Sequence, residues 1–422
     1  MEQYLTGSGG GSSPDGLFYY VSSPIPNATA ADYGIPSNKL WVADEVNQTY
    51  PQFTYFGIPL EVGQGYVARM GSTGAITFDG SSFNTGAISL PGMTRTGTTE
   101  TNRGYNLVGN PYPSTLSWDA AELLATNLET SMYYRTHQGT TMLYDTYNAT
   151  STIGTSNNGS AVTGNIPPTQ AFWVRVDADG NTGQLDFSNS MRSHGTATSI
   201  YKVAAEEGTV RMTLSNGSVS DETIVLFNAE AQDSYDDFDS QKFWAAASVP
   251  QVYTTIGTDS LVINGLYSTV TNPVVDLGVK LPAAGDYSFN ATSITLNEEV
   301  YLEDRLLSVF QNLNEEPNYS FTSTIGGNIP TRFALHFGMS VTGIQDETSS
   351  TKVYAFDRRI TILIDENLIG SSADVLDLAG RVLRTEFISG TQTNLDMNVA
   401  TGVYLVRVTT VTGIVSQRVF IK

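Results

Sequence analysis

Residues 374–422 read DVLDLAGRVLRTEFISGTQTNLDMNVATGVYLVRVTTVTGIVSQRVFIK, and they decide the fold at the end of the chain. Within them, Tyr404, Val406 and Val408 occupy every second position, a period typical of strands that bury one face. Gly380 and Gly413 lie in short breaks between such runs, where hairpin turns favour residues that tolerate positive φ. The stretch therefore predicts a small antiparallel β-sandwich.

Three motifs of this stretch resemble the type A C-terminal sorting domain of proteins exported by the type IX secretion system of Bacteroidetes. The motifs are DLAGRV at 377–382, GVYLVRV at 402–408 and RVFIK at 418–422. The resemblance implies that a translocon barrel and an outer-membrane shuttle protein bind this domain during export. It also implies that the sorting signal is carried by Asp377, Gly380, Arg381, Val382, Gly402, Val403, Tyr404, Arg407, Arg418, Val419, Ile421 and Lys422.

The composition extends the β prediction to the whole chain. A length of 422 residues favours more than one domain. The 39 glycines, 22 tyrosines and only 15% charged residues favour strands and turns over helices. Short strand-like runs bounded by Gly, Pro, Asn or Ser recur from residue 17 onwards, with the spacing typical of sandwiches. One short helix is expected within residues 117–127.

We predict an all-β chain of three consecutive antiparallel β-sandwich domains of jelly-roll or immunoglobulin-like type. The predicted domains are residues 1–198, residues 199–342 and the sorting domain at 352–422, with an exposed linker at 343–351. The runs NLVGNPYPS and QAFWV in the first domain resemble a domain that precedes the sorting domain in large surface proteins of the same phylum. That second resemblance implies no particular biochemical activity.

Charge and cysteine content exclude several classes of function. The formal net charge is −21, whereas binding to nucleic acid or to anionic membranes requires a basic surface. The chain has no cysteine, which excludes disulfides, thiolate metal sites and a cysteine nucleophile. No apolar run is long enough to predict a transmembrane helix. The first residues lack the pattern of a signal peptide, so we expect a fragment or a processed form.

Two sites outside the sorting domain are candidates for a ligand or a modification. Calcium prefers oxygen ligands supplied by one loop, and residues 233–239 offer four carboxylates, from Asp233, Asp236, Asp237 and Asp239. The run lacks the Gly and Glu of an EF-hand loop, so a solvated acidic loop is the alternative to a Ca²⁺ site. The triplet at 259–261 resembles the Asp-Ser/Thr-x sites that Bacteroidetes O-glycosylate, which implies a glycan on Ser260.

Aromatic residues of the first domain are candidates either for stacking on sugar rings or for forming a core. They are Tyr19, Tyr20, Trp41, Tyr55, Tyr66 and Trp173. The run GQGYVA at 63–68 matches a dinucleotide-binding fingerprint, but we expect a strand after it where that site needs a helix. Spacing typical of metal ligands is absent around the histidines, which are His137, His194 and His336.

The sequence thus predicts a secreted or cell-surface protein, structural or adhesive and without catalytic activity, that the type IX system exports. Two alternatives remain open. One is a carbohydrate- or calcium-dependent binding module that recognises surface glycans. The other is the C-terminal tail of a larger secreted enzyme. No residue is assigned a catalytic role.

Overall fold

The computed structural model describes residues 1–5, 18–34, 39–54, 57–71, 73–79, 82–99, 102–122, 124–160, 162–193, 208–307, 309–338, 351–356, 358–377, 380–410 and 413–421. The chain divides into two compact units, Met1–Phe337 and Gly338–Lys422. Strands hold 55% of the residues and helices 3%, so the all-β prediction is confirmed. The boundary predicted near residue 198, and the linker predicted at 343–351 apart from Thr351, lie outside the described residues. The division into three domains therefore stays a prediction.

The described part of residues 1–193 contains short strands, one five-residue α-helix, a 3-10 helix at Asn189–Met191 and turns. The elements are β1 (Glu2–Leu5), β2 (Phe18–Val21), β3 (Lys39–Val42), β4 (Tyr66–Arg69), β5 (Gly74–Thr77), β6 (Ile88–Met93), β7 (Tyr105–Gly109), β8 (Thr115–Ser117), α1 (Trp118–Glu122), β9 (Ala125–Thr126), β10 (Leu128–Gln138), β11 (Thr141–Asn148), β12 (Ile153–Gly154), β13 (Asn165–Ile166), β14 (Ala171–Val176), β15 (Gly183–Phe187) and β16 (Arg192–Ser193). The helix is shorter than expected because β9 pairs with β15 directly after it.

The largest sheet of this region has five strands in the order β12-β11-β10-β14-β7. Alternation along β14 directs Phe172 and Val174 into one core and Trp173 into another. The register places Trp173 opposite Tyr133 of β10 and Leu107 of β7. Each face of the sheet therefore carries its own apolar cluster, and the second cluster is rich in aromatic rings.

The glycine-rich run before β4 has a packing role. The chain enters a strand at Tyr66, as expected, and not the helix that a dinucleotide-binding site requires. A Cβ atom at Gly65 would lie 2.6 Å from Cγ of Leu107. Glycine is needed there because two backbones approach each other closely.

Residues 208–337 form one continuous sheet. Its strands are β17 (Thr209–Ser215), β18 (Ser220–Phe227), β19 (Ser240–Gln241), β20 (Gln251–Ile256), β21 (Asp259–Leu266), β22 (Val274–Leu281), β23 (Gly285–Ile294), β24 (Val300–Asp304), β25 (Val309–Asn312), β26 (Asn318–Ser323) and β27 (Gly327–Phe337). The order is β25-β24-β27-β22-β20-β21-β18-β17-β23-β26, with β19 beside β21. The pair β18–β21 is parallel, which departs from the antiparallel arrangement expected.

This sheet folds over on itself to form a sandwich. Leu302 of β24 and Phe321 of β26 belong to one core, although their strands lie near opposite ends of the order. The Tyr319 hydroxyl of β26 donates a hydrogen bond to Oδ2 of Asp304 in β24 over 3.0 Å. The Tyr287 hydroxyl donates to the carbonyl of Ala283 over 2.8 Å, which is the tyrosine corner typical of Greek-key sandwiches.

The second unit is a smaller sandwich. Its strands are β28 (Thr351–Phe356), β29 (Arg359–Ile364), β30 (Ser372–Leu376), β31 (Val382–Phe387), β32 (Gln392–Asp396), β33 (Gly402–Thr410) and β34 (Gly413–Ile421). The sheets β28-β29-β32 and β31-β30-β33-β34 share a core to which Ile362 and Val406 contribute. The sandwich therefore includes β28 and β29, which precede the stretch at 374–422 that predicted it. The Tyr404 hydroxyl donates to the carbonyl of Ala400 over 2.6 Å, a second tyrosine corner.

Candidate functional site

The first predicted sorting motif forms the turn between β30 and β31. The Arg381 amide donates to Oδ1 of Asp377 over 2.9 Å, and its Nε lies 2.7 Å from Oδ2 of the same carboxylate. Gly380 has a φ of +82°, which glycine adopts without steric cost. The Arg381 side chain is 79% exposed. The turn thus presents a paired guanidinium to solvent just before Val382, which is also exposed.

The second motif is the strand β33, in which fold residues and surface residues alternate. Tyr404 is buried, as are Val406 and Val408 on the same side. Val403, which follows Gly402 in the chain, lies on the opposite side of the strand and is 40% exposed. Nη2 of Arg407 lies 2.7 Å from Oδ2 of Asp374 in the neighbouring strand. Hydrogen bonds from Thr385 and Arg407 hold the pKa of Asp374 below its usual value.

The third motif continues this alternation in β34. Val419 and Ile421 are buried, whereas Arg418 and Phe420 are exposed. Lys422 lies outside the described residues, as do Leu378 and Ala379 of the first motif. The strands β31, β33 and β34 together expose six apolar side chains, an outer face made by Val382, Leu383, Phe387, Val403, Ile414 and Phe420.

The acidic run at 233–239 is an internally bonded loop. Oδ1 of Asp233 accepts a hydrogen bond from Nδ2 of Asn272 over 2.6 Å. The Asp236 carboxylate accepts from the amide of Phe238 over 2.9 Å, and Asp239 from the amide of Gly265 over 2.9 Å. In the part of the chain that the structure describes, no three His, Asp or Glu side chains are grouped to hold a metal ion. Calcium binding here stays a prediction, and the ion would have to compete with these hydrogen bonds.

The carbonyl oxygen of Asp237 connects this loop to the five-stranded sheet. It accepts hydrogen bonds from Oγ1 of Thr130 over 2.8 Å and from Nδ2 of Asn148 over 2.9 Å. Both donors belong to the five-stranded sheet of residues 1–193. The loop therefore ties residues 208–337 to that sheet within the first unit.

A cavity of about 220 Å³ lies beside the same junction. The aromatic cavity, as we call it, is lined by residues of the loop 43–50, by Asn102 and by the rings of Tyr105, Tyr144, Trp173, Phe243 and Trp244. The centroid of the Phe243 ring is 4.2 Å from that of Tyr105 and 5.6 Å from that of Trp173. Phe243 comes from the segment after β19, so the lining combines side chains from both halves of the first unit.

A buried carboxylate organises the loops at this cavity. Glu45 accepts hydrogen bonds from the amides of Gly97 and Gly104 over 3.0 and 2.9 Å, and from Oγ1 of Thr94 over 2.7 Å. Burial acts to raise the pKa of Glu45, but the bonds from the Gly97 and Gly104 amides hold it below its usual value. Gln48 adds a second tie, because its Nε2 donates to the carbonyl of Thr99 over 2.9 Å.

Trp173, which lines this cavity, has a buried indole N–H without a partner in the described part of the chain. The residue is 3% exposed and lies edge-on to Tyr50, with ring centroids 6.3 Å apart. Its indole Nε1–H finds no hydrogen-bond acceptor among the described residues. Buried indole N–H groups normally have a partner. The Nε1 atom is closed off from solvent, so this donor lies within the packed aromatic wall and not in the open space of the cavity.

A smaller cavity of about 70 Å³ shares Tyr105 and Trp244 with the first. Two ion pairs border it: Nη1 of Arg175 lies 2.5 Å from Oε1 of Glu129, and Nζ of Lys242 lies 2.5 Å from Oδ2 of Asp221. All four side chains are buried, and burial raises the pKa of Glu129 although Arg175 opposes the shift. Each pair matches a buried cation with a buried carboxylate, so neither charge is left without a counter-ion at the junction.

Ser260, the predicted glycosylation site, lines this smaller cavity and is half-buried in β21. Its carbonyl accepts a hydrogen bond from the Lys242 amide over 2.7 Å. Glycosylation of Ser260 stays a prediction.

Two sequence families match the chain. Residues 15–337 match the family described as "Domain of unknown function (DUF8693)". The chain belongs to that family. Residues 356–422 match the family described as "Secretion system C-terminal sorting domain". The resemblance seen in the sorting motifs is thus confirmed: the protein is a type IX secretion cargo, exported to the cell surface or the extracellular space.

The chain was also compared with curated proteins and with solved structures. No curated protein matches the chain. A solved structure titled "Biofilm associated protein - BSP domain" has 9% sequence identity and a TM-score of 0.20, covering 100% of this chain and 95% of that chain. A TM-score that low carries no argument about fold or function. Among the described residues, no helix has the length and hydropathy needed to cross a membrane.

The DUF8693 region places the predicted aromatic candidates in different environments. Tyr20, Tyr66 and Trp173 are buried, and Tyr19 and Trp41 are half-buried. Tyr55 lies outside the described residues. Of the six candidates, Trp173 lines the aromatic cavity. The candidate list missed Tyr50, Tyr105, Tyr144, Phe243 and Trp244, which complete the lining.

The two described histidines of the DUF8693 region, His137 and His336, do not line the cavity. His336 is buried in β27 with Nε2 2.9 Å from Oε2 of Glu303, consistent with the expected strand position. His137 is at the end of β10, where burial lowers its pKa. His194 lies outside the described residues.

Proposed function

We propose that this cargo protein is a non-enzymatic surface protein with an adhesive or structural role. In this account the unit 338–422 carries the export signal, and residues 1–337 form the module that works outside the cell. The net charge of the whole chain, −21, favours solubility and keeps like-charged surfaces and nucleic acid from binding nonspecifically.

The position of Phe243 carries this proposal. Its ring lies against Tyr105, Tyr144 and Trp173 of the region 1–193, so the two halves of the first unit share one aromatic cluster. The buried pairs Arg175–Glu129 and Lys242–Asp221 flank it. Such a junction holds loops of both halves in fixed positions. A rigid surface of this kind loses little conformational entropy on contact with a partner, which favours a binding or structural role.

For export, we propose that the translocon barrel and the shuttle protein contact the outer face of the second unit. The alternation in β33 and β34 divides the sorting residues into two groups. Tyr404, Val419 and Ile421 lie in the core and support the fold, whereas Val403 and Arg418 lie outside. Exposed apolar side chains on one face of a small domain are typical of protein contact sites.

The export part is tested by deleting residues 352–422. We expect the shortened protein to accumulate in the periplasm, detected by immunoblotting of fractions and by protection from protease added to whole cells. Surface exposure equal to that of the intact protein would contradict a role of this domain in export.

The surface role is tested by competition. The purified full chain, added in increasing amounts to cells that display the protein, should reduce their attachment to a surface coated with a second cell layer. An unrelated acidic protein of similar size is the control for nonspecific charge effects. Attachment that does not change with added protein would argue against adhesion.

A further inference from the structure

We propose that the aromatic cavity of residues 1–337 binds a single uncharged sugar ring of a glycan. This inference rests on the proposed function, because it names the class of surface ligand that an adhesive module would contact. It is carried by the size of the cavity, the exposed ring of Tyr50 and the polar side chains of Asp44, Thr49 and Asn102 in the lining.

The size of the cavity selects a small occupant. Its volume is about 220 Å³. Pockets that enclose drug-sized ligands measure roughly 300–1,000 Å³. The aromatic cavity therefore suits one pyranose ring, with the rest of a glycan chain extending into solvent. The neighbouring cavity of about 70 Å³ is too small for a second ring.

The lining has the two kinds of groups that a sugar requires. A pyranose has apolar C–H faces that pack on aromatic rings, and Tyr50 offers such a ring because it is 50% exposed at the cavity. Sugar hydroxyl groups accept and donate hydrogen bonds. Asp44, Thr49 and Asn102 add polar side chains to the lining.

The charge at the cavity discriminates among sugars. Hydrogen bonds from the side chain and amide of Asn47 hold the pKa of Asp44 below its usual value, so this carboxylate is ionised at neutral pH. The whole chain carries a net charge of −21. An acidic sugar such as a uronic or sialic acid would be repelled, whereas neutral hexoses and N-acetylhexosamines would not.

The loops of the cavity are fixed before any ligand arrives. Glu45 ties the segment 94–104 to the loop 43–50, and Gln48 adds hydrogen bonds to Thr99 in both directions, over 2.9 and 2.8 Å. Asp44 and Thr49 also exchange backbone hydrogen bonds of 3.0 and 3.2 Å across the loop. A preformed site needs less ordering on binding, which is important for ligands as small as a single ring.

The experiment measures binding of free monosaccharides to the purified full chain by saturation-transfer NMR and by calorimetry. The neutral probes are glucose, galactose, mannose, N-acetylglucosamine and N-acetylgalactosamine. The acidic probes are glucuronic acid and N-acetylneuraminic acid. We expect at least one neutral sugar to bind with a Kd of about millimolar order, as is usual for ligands with few contacts, and the acidic sugars not to bind.

Three variants assign the binding to the cavity. Tyr50→Ala should raise the Kd about tenfold or more, which is a loss of about 1.4 kcal/mol. Asn102→Ala removes a polar side chain of the lining, so it should also weaken binding. Tyr267→Ala is the matched control, because Tyr267 is 51% exposed and does not line the cavity. Its affinity should equal that of the unchanged protein.

Failure to bind any neutral sugar, equal binding by Tyr50→Ala, or preferred binding of an acidic sugar would each overturn the inference. The result is distinguishable from a failure of the proposed function. If no sugar binds while the purified chain still competes with cell attachment, the sugar site is wrong and the surface role stands. If a sugar binds at the cavity while competition fails, the adhesive role is wrong and the site stands.

Discussion

Phe243 lies flat against Tyr105, with ring centroids 4.2 Å apart and an angle of 10° between the ring planes. Tyr105 belongs to β7 of the five-stranded sheet, and Phe243 belongs to the segment that follows β19. The same phenyl ring is edge-on to Tyr133 at 5.7 Å. One side chain thus joins regions that the sequence assigns to different predicted domains.

Replacing this ring should destabilise the first unit. We expect Phe243→Ala to lower the free energy of unfolding by about 3–5 kcal/mol, because it leaves a cavity among buried aromatic rings. Urea titration followed by tryptophan fluorescence measures the change. Phe83→Ala is the control: Phe83 is 46% exposed, and its loss should cost about 0.5 kcal/mol or less. Equal effects of the two substitutions would contradict the role of Phe243.

The buried carboxylate Asp145 predicts an unusual pH dependence. Burial raises its pKa from the ordinary 3.8 to about 7, and the nearby Glu222 carboxylate adds to the rise despite a hydrogen bond from the Asn157 amide. Between pH 3.8 and about 7, Asp145 keeps its proton in the folded protein and loses it in the unfolded chain. The contribution of Asp145 to stability therefore falls as the pH rises from about 4 to 7, by up to about 1.4 kcal/mol per pH unit, and this contribution is constant above pH 7.

The variant Asp145→Asn should remove this contribution, since the amide cannot ionise. We expect it to be more stable than the unchanged protein above pH 7 and to lose less stability as the pH rises. Asp79→Asn, at an exposed position, is the control and should leave the pH profile unchanged. The measurement is the urea midpoint of each variant across this pH range. The same pH profile for both variants would contradict the assignment of this pH dependence to Asp145.

Breaking the buried ion pair between Arg332 and Asp304 should lower the stability of the first unit. Nε and Nη2 of Arg332 lie 3.0 and 2.7 Å from the two oxygens of Asp304, and the guanidinium lies 4.7 Å from the centroid of the Phe333 ring. We expect Arg332→Met to cost about 3–5 kcal/mol, because it leaves Asp304 buried without its cation. Replacing Asp304 with leucine in the same chain should recover part of that loss.

The control for this pair is Arg305→Met. Arg305 pairs with Asp276 over 2.7 Å and with Glu303 over 3.1 Å, but its own side chain is 35% exposed, so the loss should stay below about 1 kcal/mol. Chemical denaturation of the three variants gives the comparison. A cost for Arg332→Met as small as that for Arg305→Met would show that the buried pair contributes little.

Local patterns explain why part of this structure is predictable. The period of two at Tyr404, Val406 and Val408 identifies the buried face of β33, because strand geometry alone decides it. The turn at Gly380 is predictable for a similarly local reason, because hairpin turns favour residues that tolerate positive φ. The partners of Phe243 and Arg332 are not predictable from local patterns, because their contacts join residues far apart in the sequence. Nothing near Phe243 in the sequence indicates that Tyr105 and Trp173 lie beside it.

The aromatic cavity illustrates the same limit. Trp173 is a candidate from the sequence because it belongs to a strand with alternating aromatic residues. Tyr50 and Trp244 lie in irregular segments without such a period, and they reach the cavity only when the two halves of the unit meet. The predicted acidic run at 233–239 is another case, since its carboxylates prove to be acceptors for hydrogen bonds that no spacing rule reveals.

The alternation in the second unit predicts two kinds of export variants. Val403→Asp and Arg418→Glu change exposed side chains, so we expect export to fall while the free energy of unfolding changes by no more than about 0.5 kcal/mol. Val406→Ala changes the core and should cost about 1–3 kcal/mol. Surface immunoblotting and urea titration separate the two effects. Normal export of both surface variants would place the contact with the machinery elsewhere.

The most direct test of the surface role removes the first unit and keeps the second. In cells carrying an in-frame deletion of residues 18–337, the remaining protein retains residues 338–422, and its surface exposure is verified with protease and immunoblotting. Attachment of these cells is then measured in a flow chamber beside cells with the intact protein. The account predicts retained export and reduced attachment. Attachment equal to that of cells with the intact protein would contradict it.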